Sequence, residues 1–204
     1  MTVSVESKAR IESVVREVTL TGLKALMFDR YPGDNSTKLE WWQKIYLIPD
    51  TSVLAMPVAN ISSLLTAHNT NSAPKRLRDA RKFKGIANAI LSYVDIEGEN
   101  GEDTYIPILR DGTPIEVGKF DAQIDPKSGI YLHRAVARLD KGIPNPKERP
   151  VLPRPWELRF RLSIRPNREI KEQEIKNLIE EAGLAIGLGT FRGVFGKFQV
   201  SAWE

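Results

Sequence analysis

From Trp156 to Arg165 the chain alternates without a slip: Trp156, Leu158, Phe160, Leu162 and Ile164 fall between Glu157, Arg159, Arg161, Ser163 and Arg165. A period of two puts the apolar set on one face of a strand and the arginines on the other. A helix is predicted from about Glu169 to Ala182, with Ile175, Leu178, Ile179 and Ala182 as its buried stripe and Gly183 at its end. Val18 and Leu20 alternate with Thr19 and Thr21, which predicts a first strand within Glu17 to Met27, with Gly22 at a bulge or close approach. Asp29 to Thr37 carries turn residues, and the apolar runs Ile45 to Ile48 and Val53 to Met56 flank a hairpin turn at Pro49-Asp50-Thr51. Pro57 suits the first turn of a helix reaching about His68, whose stripe is Ile61, Leu64, Leu65 and His68. A second helix, from about Leu77 to Tyr93, begins basic and turns apolar at Ile86, Ala87, Ala89 and Ile90.

Residues 95–128 are cut into short pieces by glycine and proline, and are expected to project as a β-rich arm. Ile130 to Leu139 reads as a strand. The five prolines of residues 144–155 forbid helix and favour an extended connection. A glycine-rich stretch, residues 183–196, leads to a last strand from Lys197 to Trp203. Taken in order, these elements give a βαββαβ core: an α+β, ferredoxin-like (RRM-like) single domain over residues 1–204, with the arm at 95–128 inserted.

Composition adds mainly exclusions. The chain has 204 residues, 41% hydrophobic and 27% charged, as expected of a folded domain and not of a disordered one. Without cysteine, disulfides, thiolate metal sites and cysteine nucleophiles are excluded, and two histidines, His68 and His133, cannot make a histidine-rich metal site. Neither a metal nor a cofactor is therefore expected. No apolar run approaches membrane-spanning length and the first residues are charged throughout, so a cytoplasmic protein with no membrane partner is expected. The net charge of +4 is small, but it is unevenly distributed. Lys75, Arg76, Arg78, Arg81, Lys82 and Lys84 face only Asp79, whereas Asp95, Glu97, Glu99, Glu102 and Asp103 have no base among them.

Three features can hold a polynucleotide. Gly187, Gly189 and Gly193 would let backbone amides approach phosphates, with Arg192 and Lys197 beside them; the same glycines also suit a tight helix-to-strand turn. Arg159, Arg161 and Arg165 would line an open sheet face, or simply be its solvated side. The basic block at Lys75, Arg76, Arg78, Arg81 and Lys82 is a third phosphate candidate, or a solvated helix end. His133 is the candidate for acid–base chemistry, against a structural role in its strand. The acidic cluster could meet a cation or the basic block of a second copy in head-to-tail assembly. Of Trp41 and Trp42, one is expected in the core and one exposed to a partner.

Arg149-Pro-Val-Leu-Pro-Arg-Pro-Trp156, the basic strand, the helix ending in Ala182-Gly183, Ile186-Gly-Leu-Gly-Thr-Phe-Arg192 and Phe195-Gly-Lys-Phe198 together resemble the RAMP superfamily. These are the RRM-like, RNA-binding proteins of CRISPR systems, and the layout is closest to their backbone subunits and to small phage or prophage proteins built the same way. The resemblance implies a non-catalytic protein of antiviral defence that binds single-stranded nucleic acid, RNA before DNA, through its backbone and assembles along it. Processing endonucleases of the superfamily cut RNA with a histidine, so a metal-independent endoribonuclease using His133 is the alternative; a phage-encoded competitor that binds the CRISPR complex is another. Some backbone subunits cleave with an aspartate in the loop after the first strand. Asp34 lies in such a loop, but its neighbours do not match, and catalysis is not carried over.

Overall fold

The computed structural model describes residues 12–66, 80–101, 103–138 and 144–204, with backbone alone for 80–83 and 137–138. It is a mixed α+β structure. The strands are β1 (Val14–Gly22), β2 (Leu26–Met27), β3 (Ala55–Pro57), β4 (Val94–Gly98), β5 (Tyr105–Arg110), β6 (Thr113–Pro114), β7 (Tyr131–Arg138), β8 (Pro144–Leu152), β9 (Glu157–Ile164) and β10 (Phe198–Trp203). The helices are α1 (Val58–Thr66), α2 (Ala80–Tyr93) and α3 (Glu172–Ala185).

The alternating strand β9 is the centre of the main antiparallel sheet. One edge pairs with β1, which in turn pairs with β10; the other edge is shared by β4 and β5 lying end to end. Leu158, Phe160, Leu162 and Ile164 point into a core shared with Ile61, Leu64 and Leu65 of α1 and Ile175, Leu178 and Ile179 of α3. Trp156, fully buried, lies against Gly22, where a Cβ would overlap the indole, and its Nε1 donates to the Lys24 carbonyl at 2.8 Å. Gly22 is therefore the predicted close approach. Glu172, in the first turn of α3, accepts from Arg16 Nε at 2.6 Å and Trp203 Nε1 at 2.8 Å, tying that helix to β1 and β10.

Three expectations are corrected here. Residues 95–128 are not a projecting arm: β4 and β5 are main-sheet strands, with Ile106 and Ile108 fully buried. The segment that stands apart is the β7–β8 hairpin, which with β2 makes a separate three-stranded sheet in the order β2-β8-β7. The prolines did not prevent β8 from forming. Pro150 gives its carbonyl to Phe28 N–H at 3.0 Å on the edge away from β7, so Pro144 and Pro146, spaced by twos, also turn their missing N–H groups to that outer edge. Finally, Gly183 does not end α3. It is buried inside the helix against Phe198, and the helix stops at Gly187, which has φ +94° and gives its N–H to Ala182 O at 2.8 Å.

The loop leading into β7 is organised by Asp125, which is 0% exposed. Its carboxylate accepts from the amides of Gly118 at 2.9 Å, Lys127 at 3.1 Å and Ser128 at 3.2 Å, and from the Ser128 hydroxyl. Burial pushes its pKa up, but these donors together outweigh burial and hold it below the ordinary 3.8. The charged form is thus favoured by folding, and its stabilisation is present above the unfolded value and lost as pH falls through the lower folded value. Asp125→Asn is expected to cost about 1–3 kcal/mol at neutral pH. The loss should shrink in acid-unfolding curves taken below the ordinary carboxylate pKa, where the wild type loses the same contribution.

Candidate nucleic-acid interface

The open face of the main sheet carries the arginines of β9, as the alternation predicts, but they are not free. Arg165 holds Asp95 through Nε and Nη2, both at 3.0 Å; Arg161 meets Glu97 at 3.3 Å and Arg159 meets Glu157 at 3.3 Å. The cause is register: β4 lies antiparallel beside β9, with Asp95 opposite Ser163 and Glu97 opposite Arg161. With Glu17 and Glu99 beside Arg159 and Arg161, five carboxylates share this face with three guanidiniums. Each of the three arginines thus already has an acidic partner, and Asp95 and Glu97 are engaged in turn. These pairs are solvent-exposed and contribute little stability, about 0–1 kcal/mol each. Arg161→Ala is therefore expected to leave affinity for single-stranded RNA within about twofold, measured by filter binding; a tenfold loss would return the sheet face to the interface.

The glycine-rich stretch between α3 and β10 is a tightly bonded turn with an exposed tip. Most of its amides serve the fold: Leu188 N–H binds Gly196 O at 2.9 Å, Thr190 N–H binds Met27 O at 2.9 Å, Gly193 N–H binds Ile186 O at 2.6 Å and Gly196 N–H binds Ala25 O at 2.8 Å. At Gly189 and Gly196 a Cβ would overlap the carbonyls of Met27 and Leu188, so these glycines are there for close packing and positive φ. The amides of Gly187 and Gly193 are thus not available to phosphates.

The tip itself is different. Phe191 is 53% exposed and Val194 58%, Gly193 has open space around it, and Arg192 is exposed with no carboxylate partner among the described residues. Desolvation by the surrounding chain lowers the Arg192 pKa from its ordinary value, and the guanidinium remains a cation. Phe191, a non-glycine residue, is held at φ 52°. Such strain persists where the surroundings impose it, here the bond from Phe195 N–H to Phe191 O at 3.3 Å that closes the tip. The Phe195 ring lies 6.0 Å from Phe191 and 5.3 Å, edge-on, from His133 of β7. Lys197 and Lys24 flank the base, joined where Lys197 O accepts the amides of Leu23 at 2.7 Å and Lys24 at 3.1 Å.

Two of the expected cations, Arg192 and Lys197, thus belong to this loop, with His133 packed on its Phe195; Lys24, whose backbone is bonded at its base, and the exposed Phe191 and Val194 are additions to the expected set. An aromatic between Thr190 and Arg192 in a run of glycines was the available signal. His133 packs edge-on against Phe195 and has no carboxylate hydrogen-bond partner among the described residues. Asp34 accepts from the amides and hydroxyls of Ser36 and Thr37, which hold its carboxyl well below the usual range as a turn-forming carboxylate. His68, Lys75, Arg76 and Arg78 lie outside the described residues, and Arg81 and Lys82 fall where α2 is described by backbone alone. No helix among the described residues is long and apolar enough to cross a membrane.

No family model matches the sequence, and no curated protein matches it. Among solved structures, a chain of the type III-B Cmr-β assembly bound to cognate target RNA superposes with a TM-score of 0.58 at 13% identity. The match takes in 95% of this chain and 61% of that one, so this chain spans less than two thirds of its structural neighbour's length. At that identity the likeness shows a shared architecture with that chain and no more.

Proposed function

We propose that this protein is a non-catalytic, single-stranded RNA-binding component of a CRISPR-effector-like assembly, built as one ferredoxin-like domain, that grips the nucleic-acid backbone at the loop tip of residues 191–197. The observation that carries this reading is the tip: a partly desolvated Arg192 with no carboxylate partner among the described residues, between exposed Phe191 and Val194, with the backbone of Lys24 and Lys197 at its base. Cations supply most of the affinity for a polynucleotide, and exposed rings stack bases without selecting among them. The antiparallel order β10-β1-β9-β4, with helices between β1 and β4 and between β9 and β10, supports the ferredoxin-like arrangement. Likeness to a chain of an RNA-bound assembly supports RNA over DNA and a role within a larger particle; self-association along the strand is part of the same proposal.

Filter binding of a labelled single-stranded RNA across a salt series tests the reading. Affinity is expected to fall steeply with salt, by about 0.7 in the log–log slope for each phosphate contacted. Salt-independent binding would refute the phosphate contacts, and a protein that retains neither RNA nor DNA would leave the protein-binding competitor as the surviving account.

A further inference from the structure

A cavity of about 360 Å³ opens between the 3₁₀ turn Trp41–Lys44 and the segment after β6, lined by Trp42, Tyr46, Tyr105, Val117 and Phe120, with Arg30 at its rim. Its size falls within the ordinary range of ligand pockets, about 300–1,000 Å³. The two tryptophan rings of the turn meet edge-on at 6.1 Å but differ in exposure. Trp41 is 4% exposed and meets Phe120 edge-on at 5.3 Å, while Trp42 is 39% exposed at the mouth. Four aromatic rings and a guanidinium, with no carboxylate in the lining, form the set of groups that stacks a planar, electron-rich ring.

What such a ring would be attached to follows from the neighbouring groove of about 510 Å³, between the loop after β2 and strand β8. Arg30 lines both spaces. Its Nε donates to Gln43 O at 3.1 Å, which fixes the side chain at the junction. Lys38 and Lys147 also line the groove, and neither they nor Arg30 have a carboxylate partner among the described residues. The two acids present are both engaged: Asp29 holds Arg149 at 2.7 Å, and Glu148 holds Arg134 at 2.9 Å. The β7–β8 register relates the groove to the strand that packs on the loop tip. His133 pairs with Arg149 and Ala135 with Lys147 across β7 and β8, so His133 and Lys147 share one face of the hairpin, two residues or roughly 7 Å apart along it.

We propose that the Trp42 pocket receives one nucleobase turned out of a bound single strand whose phosphates follow the Arg30, Lys38 and Lys147 groove. The inference rests on the RNA-binding reading above and adds a subsite to it. Wild type and Trp42→Ala would be titrated with a labelled 12-nucleotide oligouridylate and with the same oligomer made abasic throughout. The abasic penalty in wild type is expected to exceed that in Trp42→Ala by about tenfold, the worth of one stacked base, because any stacking on the loop-tip rings is lost equally from both. Equal wild-type affinity for both strands, with salt dependence retained, overturns the pocket and leaves the RNA-binding reading standing. An equal abasic penalty in wild type and Trp42→Ala places the stacking elsewhere and also overturns it. Absence of any RNA binding overturns both readings. Adenosine monophosphate alone binding as tightly as the oligomer would assign the pocket to a free nucleotide and not to a strand.

Discussion

Gly196→Ala is expected to destabilise the protein by about 3 kcal/mol, a fall in Tm of about 6–12 °C for a chain of this size. Two costs combine at this position. The backbone sits at φ +71°, which an L side chain adopts only under strain, and a Cβ would overlap the Leu188 carbonyl oxygen, whose residue is bonded back to Gly196. The turn cannot relax freely, because Gly196 N–H also holds Ala25 O and Thr190 N–H holds Met27 O, so any shift pulls on the end of β2. Gly193→Ala is the control. Its φ of +94° carries strain of about 1 kcal/mol, but nothing lies within 4 Å of the added methyl. Thermal unfolding of the two variants should therefore separate clearly, and equal losses would mean that the turn is not built as described.

The second large effect is on binding. Reversing Arg192 and Lys197 to glutamate is expected to reduce affinity for single-stranded RNA by about ten- to a hundredfold at physiological salt, with the Tm nearly unchanged. Both side chains lack carboxylate partners among the described residues, so the substitution breaks no ion pair. It removes phosphate contacts and adds repulsion at the same place. Alanine at Arg161 on the sheet face should leave RNA affinity nearly unchanged, because that arginine already has Glu97. The contrast between the two surfaces distinguishes a local grip from non-specific attraction to a basic protein.

Local periodicity carried much of the fold. The alternation of β9 and the stripes of α1 and α3 state their buried faces directly, and all of those apolar residues lie in the core. What periodicity could not carry was partnership. β4 is five residues long and ends at Gly98, too short to announce itself, and it joined the main sheet because its Ile96 and its acids fit opposite β9. Residues 131–138 read as a strand and are one, but their partner is the proline-containing β8, whose spacing by twos is legible as an edge strand only once one edge is known to be covered. The site divided the same way. Arginines at 159, 161 and 165 were visible as a row, yet the partners of Arg161 and Arg165 are carboxylates more than sixty positions away at Glu97 and Asp95. The glycines at 187–196 mark a turn in any reading; only the turn's own hydrogen bonds show that its cation and rings, and not its amides, face outward.

The most direct test of the loop-tip grip is the salt dependence of single-stranded RNA binding measured for wild type, Arg192→Ala and Arg161→Ala side by side. If Arg192 contacts a phosphate, its removal should lower the log–log slope by about 0.7 while Arg161→Ala keeps the wild-type slope. Unchanged slope in Arg192→Ala together with a reduced one in Arg161→Ala would contradict the account and move the strand to the sheet.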